Sequence, residues 1–75
     1  MLRIIAERDS RMRWRAWWQD LPSEYEEADS ALEAVANLIA TYGRGASMSD
    51  LVNDPKAFRP WHVEMTVSNE SGKSG

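Results

Sequence analysis

Residues 29–43 read DSALEAVANLIATYG and predict one amphipathic helix, against which the rest of the chain packs. Ser30 can cap the start of this helix, and Glu33 follows three residues later, which is the spacing of a capping box. Gly43 follows the last periodic position, as expected at a helix end. The large apolar residues recur at helical intervals and form one stripe, made by Leu32, Val35, Leu38, Ile39 and Tyr42. Because an isolated helix of this length is marginal in water, the stripe needs a packing surface from the remaining chain.

Alternation of apolar and polar side chains predicts strands that can supply this surface. The pattern covers residues 2–8, 11–19 and 61–67, and Asp9 and Ser10 form a turn between the first two strands. In the second strand, one face is expected to carry Trp14, Ala16 and Trp18. In the strand over residues 61–67, the expected inward residues are Trp61, Val63, Met65 and Val67.

The segment between the second strand and the helix permits two interpretations. A turn is predicted over residues 20–23, because Pro22 has no N–H to donate to a strand ladder. Residues 23–28 then form a short strand centred on Tyr25, or they extend the helix backwards. We favour the strand, because Asp29 and Ser30 make the better helix start.

The remaining segments complete the expected architecture. Residues 48–53 predict a short turn of helix, residues 56–60 are irregular, and residues 68–75 have no apolar side chain and predict a disordered tail. We therefore expect an α+β fold in the order β-β-β-α-β. It has an antiparallel sheet of three to four strands with one long helix on one face, and residues 1–67 form a single domain.

Composition narrows the class of protein. Seventy-five residues suffice for one small core, and the absence of cysteine excludes disulfides and thiolate metal sites. A net charge of -3 argues against nucleic acid as the main partner. The charge is uneven, however, because five arginines precede residue 19 whereas residues 20–33 carry only acidic charges. Without a signal peptide or a membrane-spanning run, the expected location is the cytoplasm.

The arginine- and tryptophan-rich second strand is the most informative functional feature. Arg13, Arg15 and Trp17 are expected on the sheet face that the helix leaves open, with Ile5 and His62 beside them. These residue types are frequent in protein interfaces, and this is the interpretation that we favour. Arginine and tryptophan also bind phosphates and stack on bases, so the same stripe is compatible with a nucleic-acid-binding module.

A third interpretation assigns these charges to the sheet itself. Arg3, Arg13 and Arg15 would then pair across strands with Glu7 and Glu64, with no role in binding.

No group of residues predicts catalysis. A two-metal nuclease needs converging carboxylates, but Glu7, Asp9, Asp20 and Glu64 are better interpreted as solvated surface charges. His62 is the single histidine, and no motif places a nucleophile beside it. We therefore expect no enzymatic activity and assign no catalytic, cofactor-binding or metal-binding residues.

Three motifs in order resemble the HicB-like antitoxin domain. Trp14-Arg15-Ala16 runs into Asp20-Leu21-Pro22, and residues 29–34 read DSALEA, similar to the G-D-S-x-E-E-A helix start of that family. Residues 51–55 read LVNDP and are similar to its late L-x-D-P segment, which a closing strand follows. Two departures are Ser23-Glu24, where the family usually has Gly-Cys, and Ala28, where it usually has glycine.

The resemblance covers residues 2–67 and implies a partial ribonuclease-H-like fold without the nuclease carboxylates. It implies a bacterial-type antitoxin that masks a HicA-like, messenger-RNA-cleaving toxin, and we expect at least a homodimer. The sequence has no segment like the C-terminal DNA-binding motif of many members, so operator binding is not expected. An orphan HicB-like domain that has lost its toxin partner is a further alternative.

Overall fold

The computed structural model describes residues 1–69, and within these residues five strands and one α-helix form an α+β fold. The chain order is β1 (Leu2–Arg8), β2 (Trp14–Trp18), β3 (Leu21–Ala28), α1 (Ala31–Tyr42), β4 (Val52–Asn53) and β5 (His62–Val67). All neighbouring strands are antiparallel, and they lie in the order β3-β2-β1-β5-β4. The helix packs on one face, against β3, β2 and β1. The predicted class is therefore confirmed, whereas the expected number of strands was too low.

Both predicted ends of the helix are confirmed. The Ser30 side chain accepts a hydrogen bond from the Glu33 N–H at 3.2 Å, which satisfies one of the free donors of the first turn. At the other end, the Gly43 N–H donates to the Ile39 carbonyl at 2.8 Å. Gly43 has a φ of 69°, a conformation that glycine adopts without steric cost.

The buried stripe of the helix is narrower than its sequence pattern predicts. Its buried side chains are Ala34, Val35, Leu38 and Ile39. Leu32 is 58% exposed and Tyr42 is 37% exposed, so the expectation that both lie in the core was wrong. These two residues lie at the ends of the stripe and border two separate hollows in the surface.

The core lies between the helix and the inward face of the sheet. Trp18 is its largest fully buried side chain, and Ile4, Leu38, Val35 and Val67 are also fully buried. Trp14 packs against this cluster from its margin, and Ala6 and Ala16 lie within it. The predicted inward face of the second strand is thus confirmed.

The second strand starts later than predicted because Asp9 organises a turn. One oxygen of its carboxylate, Oδ1, accepts the N–H groups of Arg11 at 2.8 Å and Arg13 at 3.0 Å. Met12 in this turn has a φ of 66°, which is incompatible with a strand. Residues 11–13 therefore belong to the turn, and β2 begins at Trp14.

The third strand is longer than predicted, and the expected turn over residues 20–23 was wrong. The turn is formed by Gln19 and Asp20, and Leu21 and Pro22 already belong to β3. A register shift between Trp17 and Trp18 absorbs the extra residues. Proline is tolerated because β3 is an edge strand, whose outer side needs no ladder donor. Of the two interpretations of residues 23–28, the strand is confirmed.

Two expectations for the C-terminal half were wrong. Only Met48–Asp50 forms a helical turn, of 3-10 type, and Val52 and Asn53 pair instead with Thr66 and Met65 of β5. A second 3-10 turn spans Pro55–Ala57. Trp61 is 51% exposed rather than inward, because it lies in the tight turn that pairs Arg59 with His62. Its carbonyl still accepts a hydrogen bond from the Arg8 N–H of β1 at 2.9 Å.

The predicted tail lies mostly outside the described residues. Ser68 and Asn69 are described, and Asn69 forms an isolated bridge with Ala46. Residues 70–75 are not described. In the described part of the chain, no helix has the length and apolar character needed to cross a membrane.

Candidate functional site

The sheet face opposite the helix brings four of the five predicted site residues together. Ile5 pairs with Trp17 of β2, and its neighbour on β5 is Glu64. One row along, Glu7 lies between Arg15 of β2 and His62 of β5. Side chains alternate across a strand, so all of these residues project from the same face. We call this surface the open face and define it by Ile5, Arg15, Trp17, His62 and their cross-strand neighbours.

An aromatic row crosses the open face. Ile5 and Trp17 are half-buried by their neighbours, and Tyr25, the partner of Trp17 on β3, is 44% exposed. The Arg15 guanidinium lies 4.5 Å from the centre of the Tyr25 ring, a cation–π geometry. The row therefore presents apolar and aromatic surface to solvent across three adjacent strands.

His62 bridges two carboxylates beside this row. Its Nδ1 lies 2.6 Å from Oε2 of Glu7, and its Nε2 lies 2.7 Å from Oε2 of Glu64. A neutral imidazole donates from only one nitrogen, so both contacts are satisfied by the imidazolium. The hydrogen bonds to Glu64 and then to Glu7 raise the pKa of His62, whereas His62 and Arg3 lower the pKa of Glu64.

Arg3 extends this network toward β4. Its Nε donates to Oε1 of Glu64 at 2.7 Å, and its Nη2 donates to Oδ2 of Asp54 at 2.6 Å. The Arg3 hydrogen bond, followed by the Lys56 N–H, lowers the pKa of the Asp54 carboxyl group. Charges of opposite sign therefore alternate from Glu7 through His62, Glu64 and Arg3 to Asp54.

The remaining arginines of the predicted stripe also have acidic partners. Arg15 forms an ion pair of 2.6 Å with Glu27 rather than with Glu7. Arg13 lies outside β2 and donates to Asp29, just before the helix, at 2.6 Å. Arg13 was therefore predicted on the open face, but the structure pairs it with a residue at the helix start. The sequence also allowed ion pairs of Arg3, Arg13 and Arg15 with Glu7 and Glu64. Arg3 does pair with Glu64, whereas Arg13 and Arg15 pair with other carboxylates.

The carboxylates considered for nuclease chemistry are not gathered in one place. Glu7 and Glu64 bind His62, Asp9 holds its turn, and Asp20 forms a two-point ion pair with Arg44 at 2.8 and 3.0 Å. Across residues 1–69, no cluster of three or more His, Asp or Glu side chains is arranged to hold a metal ion.

Sequence reasoning missed an apolar groove on the helix side of the molecule. Its volume is about 770 Å³, and it runs between the start of the helix and β5. Its apolar lining includes Leu32, Met48, Leu51, Phe58, Val63 and Met65. Met48 lies in a 3-10 turn and Phe58 follows another, and neither belongs to a periodic apolar pattern, so no periodicity could reveal that they share a surface with the helix.

Comparison of the chain with protein-family models, with curated proteins and with solved structures finds no match.

Proposed function

We propose that this domain is a non-catalytic protein-binding module whose contact surface is the open face, and that it forms a homodimer through that surface. The observation that carries the proposal is the Ile5–Trp17 row, uncovered by the helix and flanked by charges that are already paired. Tryptophan in the centre of such a surface is a frequent source of binding energy between proteins. The surrounding ion pairs can remain intact on association, as in the polar rim of an interface.

The sequence motifs support a more specific form of the proposal. Residues 14–22, 29–34 and 51–55 resemble the HicB-like antitoxin domain, and the observed chain order retains three strands, a helix and a closing strand, with β4 inserted. On this basis the partner is a small HicA-like, RNA-cleaving toxin, which the domain masks sterically in the cytoplasm. The alternative is an orphan HicB-like domain, which has no toxin partner and forms only the homodimer.

The charges on the open face favour a protein over a nucleic acid. Arg3 is held by Asp54 and Glu64, and Arg15 is held by Glu27. A phosphate would have to displace these carboxylates, and the net charge of -3 opposes its approach. For this reason we do not propose nucleic-acid binding through the arginine and tryptophan stripe.

The test compares Trp17→Ala with Phe58→Ala in sedimentation equilibrium. Phe58 is exposed on the helix side, so its variant controls for the loss of an aromatic side chain. If Trp17 is a central contact, its removal weakens dimerisation by about 30-fold or more, and the Phe58 variant leaves it unchanged. Far-ultraviolet circular dichroism checks that both variants retain the helix. Equal dimerisation of both variants would contradict the proposed surface.

A further inference from the structure

The outer edge of β3 offers a ladder of backbone groups to another strand. The Gln19 N–H donates to the Arg3 carbonyl, and the Asp9 N–H donates to the Arg13 carbonyl, so the odd-numbered residues of β2 bond toward β1. Its even-numbered residues therefore bond toward β3, where Ala16 faces Glu26. Tyr25 and Glu27, on either side of Glu26, consequently direct their N–H and C=O groups away from the sheet. Within residues 1–69, no other backbone group bonds to this side.

The charges that this edge leaves without an ion pair within residues 1–69 are acidic, although Arg15 lies beside Tyr25 and Glu27 and Arg44 interacts with Glu24 at longer range. Glu24 and Glu26 have no ion pair among the described residues, whereas Glu27 is paired with Arg15. One oxygen of Glu24, Oε1, is enclosed and receives no hydrogen bond from the described part of the chain. Because that oxygen is enclosed, the acceptor on this edge that a partner can reach is the Glu26 carboxylate, which also lines a hollow beside the edge.

A hollow beside the edge is suited to cationic side chains. It has a volume of about 620 Å³ and is lined by Ser23, Tyr25, Glu26, Glu27 and Tyr42. Tyr42 ends the helix, whose last turn contains no basic residue to offset the negative end of its dipole. Carboxylates, tyrosine rings and a helix C-terminus all favour a positive charge.

We propose that the β3 edge binds an extended, lysine- or arginine-rich segment of another protein, which pairs with β3 as an additional antiparallel or parallel strand. Backbone hydrogen bonds would supply affinity, and alternate basic side chains would meet Glu26 and Tyr42.

Charge disfavours a second copy of this chain in the register centred on Tyr25. Antiparallel pairing about Tyr25 would set Glu24 opposite Glu26 of the second copy, and like charges in this position are destabilising. The inference uses the outer edge of β3, which shares only Tyr25 and Glu27 with the open face, and it does not rest on dimerisation.

The probe is a capped peptide of alternating lysine and valine, seven residues long, added to the isotopically labelled protein and followed by nuclear magnetic resonance. The expected result is a shift of the Tyr25 and Glu27 amide signals, with slower hydrogen exchange at both. Glu26→Gln weakens binding by about twofold to fivefold. The control is Asp50→Asn, which also removes one negative charge but lies just before β4, at the opposite edge of the sheet. This variant is expected to leave binding unchanged.

Two matched peptides separate strand pairing from charge. In the first peptide, alternate backbone nitrogens are methylated. This keeps every positive charge but removes the N–H donors along one edge of the peptide strand, so this peptide is expected not to bind. In the other, glutamate replaces lysine, and it is also expected not to bind. Equal binding of the methylated peptide, signal changes centred away from β3, or no binding of the lysine peptide up to about 1 mM would overturn the inference. Ile5→Ala alters the open face on β1, which is not adjacent to β3, and is expected to leave peptide binding intact, so it keeps this test separate from that of the open face.

Discussion

Two leucines on the same helix should differ sharply in their contribution to stability. Leu38 is fully buried and Leu32 is 58% exposed, although both belong to the stripe predicted from sequence. Replacing a buried leucine by alanine removes apolar contacts and leaves a cavity, at a cost of about 3 kcal/mol. A domain of 75 residues has a total unfolding free energy of roughly 4 to 11 kcal/mol, so Leu38→Ala removes a large part of it.

Leu32→Ala should cost much less. Solvent already contacts more than half of this side chain, and water fills the space that the substitution leaves. The expected loss is about 0.5 kcal/mol, in proportion to the remaining buried area. Both variants make the same change in helix propensity, from leucine to alanine, so the difference between their unfolding free energies reports the difference in burial.

The assay is urea unfolding followed by circular dichroism, at one fixed protein concentration because the proposed dimerisation would contribute to apparent stability. Thermal midpoints provide a second readout, and Leu38→Ala is expected to lower the midpoint by about 12 to 24 °C. Equal losses for the two variants, or a larger loss for Leu32→Ala, would refute the burial assignment along the helix.

Two further predictions concern the helix cap and the histidine network. Ser30→Ala should lower the unfolding free energy by about 1 kcal/mol, measured by the same urea assay, because the Glu33 N–H loses its acceptor; no change would contradict the cap. The folded-state pKa of His62 lies above its ordinary value of 6.5, so its contribution to stability is fully present below 6.5 and is lost as pH rises through the raised pKa. His62→Gln should remove this decline between neutral and alkaline pH, and an unchanged pH profile of unfolding would contradict the bridge to Glu7 and Glu64.

The helix, β1 and β5 were predictable because their signals are local. Ser30 and Gly43 have cap chemistry that works whatever surrounds them, and the alternation around Ile4 and Val63 has the period of a strand. The same signals assign Ile5, Arg15, Trp17 and His62 to one face, and the register of the sheet brings them together as expected.

The errors arise where tertiary pairing decides the structure. Val52 and Asn53 form a strand too short to show a period, and only their partners on β5 define it. Pro22 predicts a turn locally, but an edge position and a register shift permit it within β3. Alternation along a strand would place Arg13 on the same face as Arg15. However, Arg13 belongs to the turn held by Asp9, before β2 begins, and its side chain pairs with Asp29.

We propose that the open face binds protein, and the molecular mass of the protein in solution is the first measurement to make. Light scattering at low and at high salt, with and without a short RNA, distinguishes an apolar interface from phosphate contacts, which weaken steeply as salt rises. We predict a dimer that persists at high salt, dissociates in the Trp17→Ala variant and does not change with RNA. A monomer at both salt concentrations, or a mass that increases with RNA only at low salt, would contradict it.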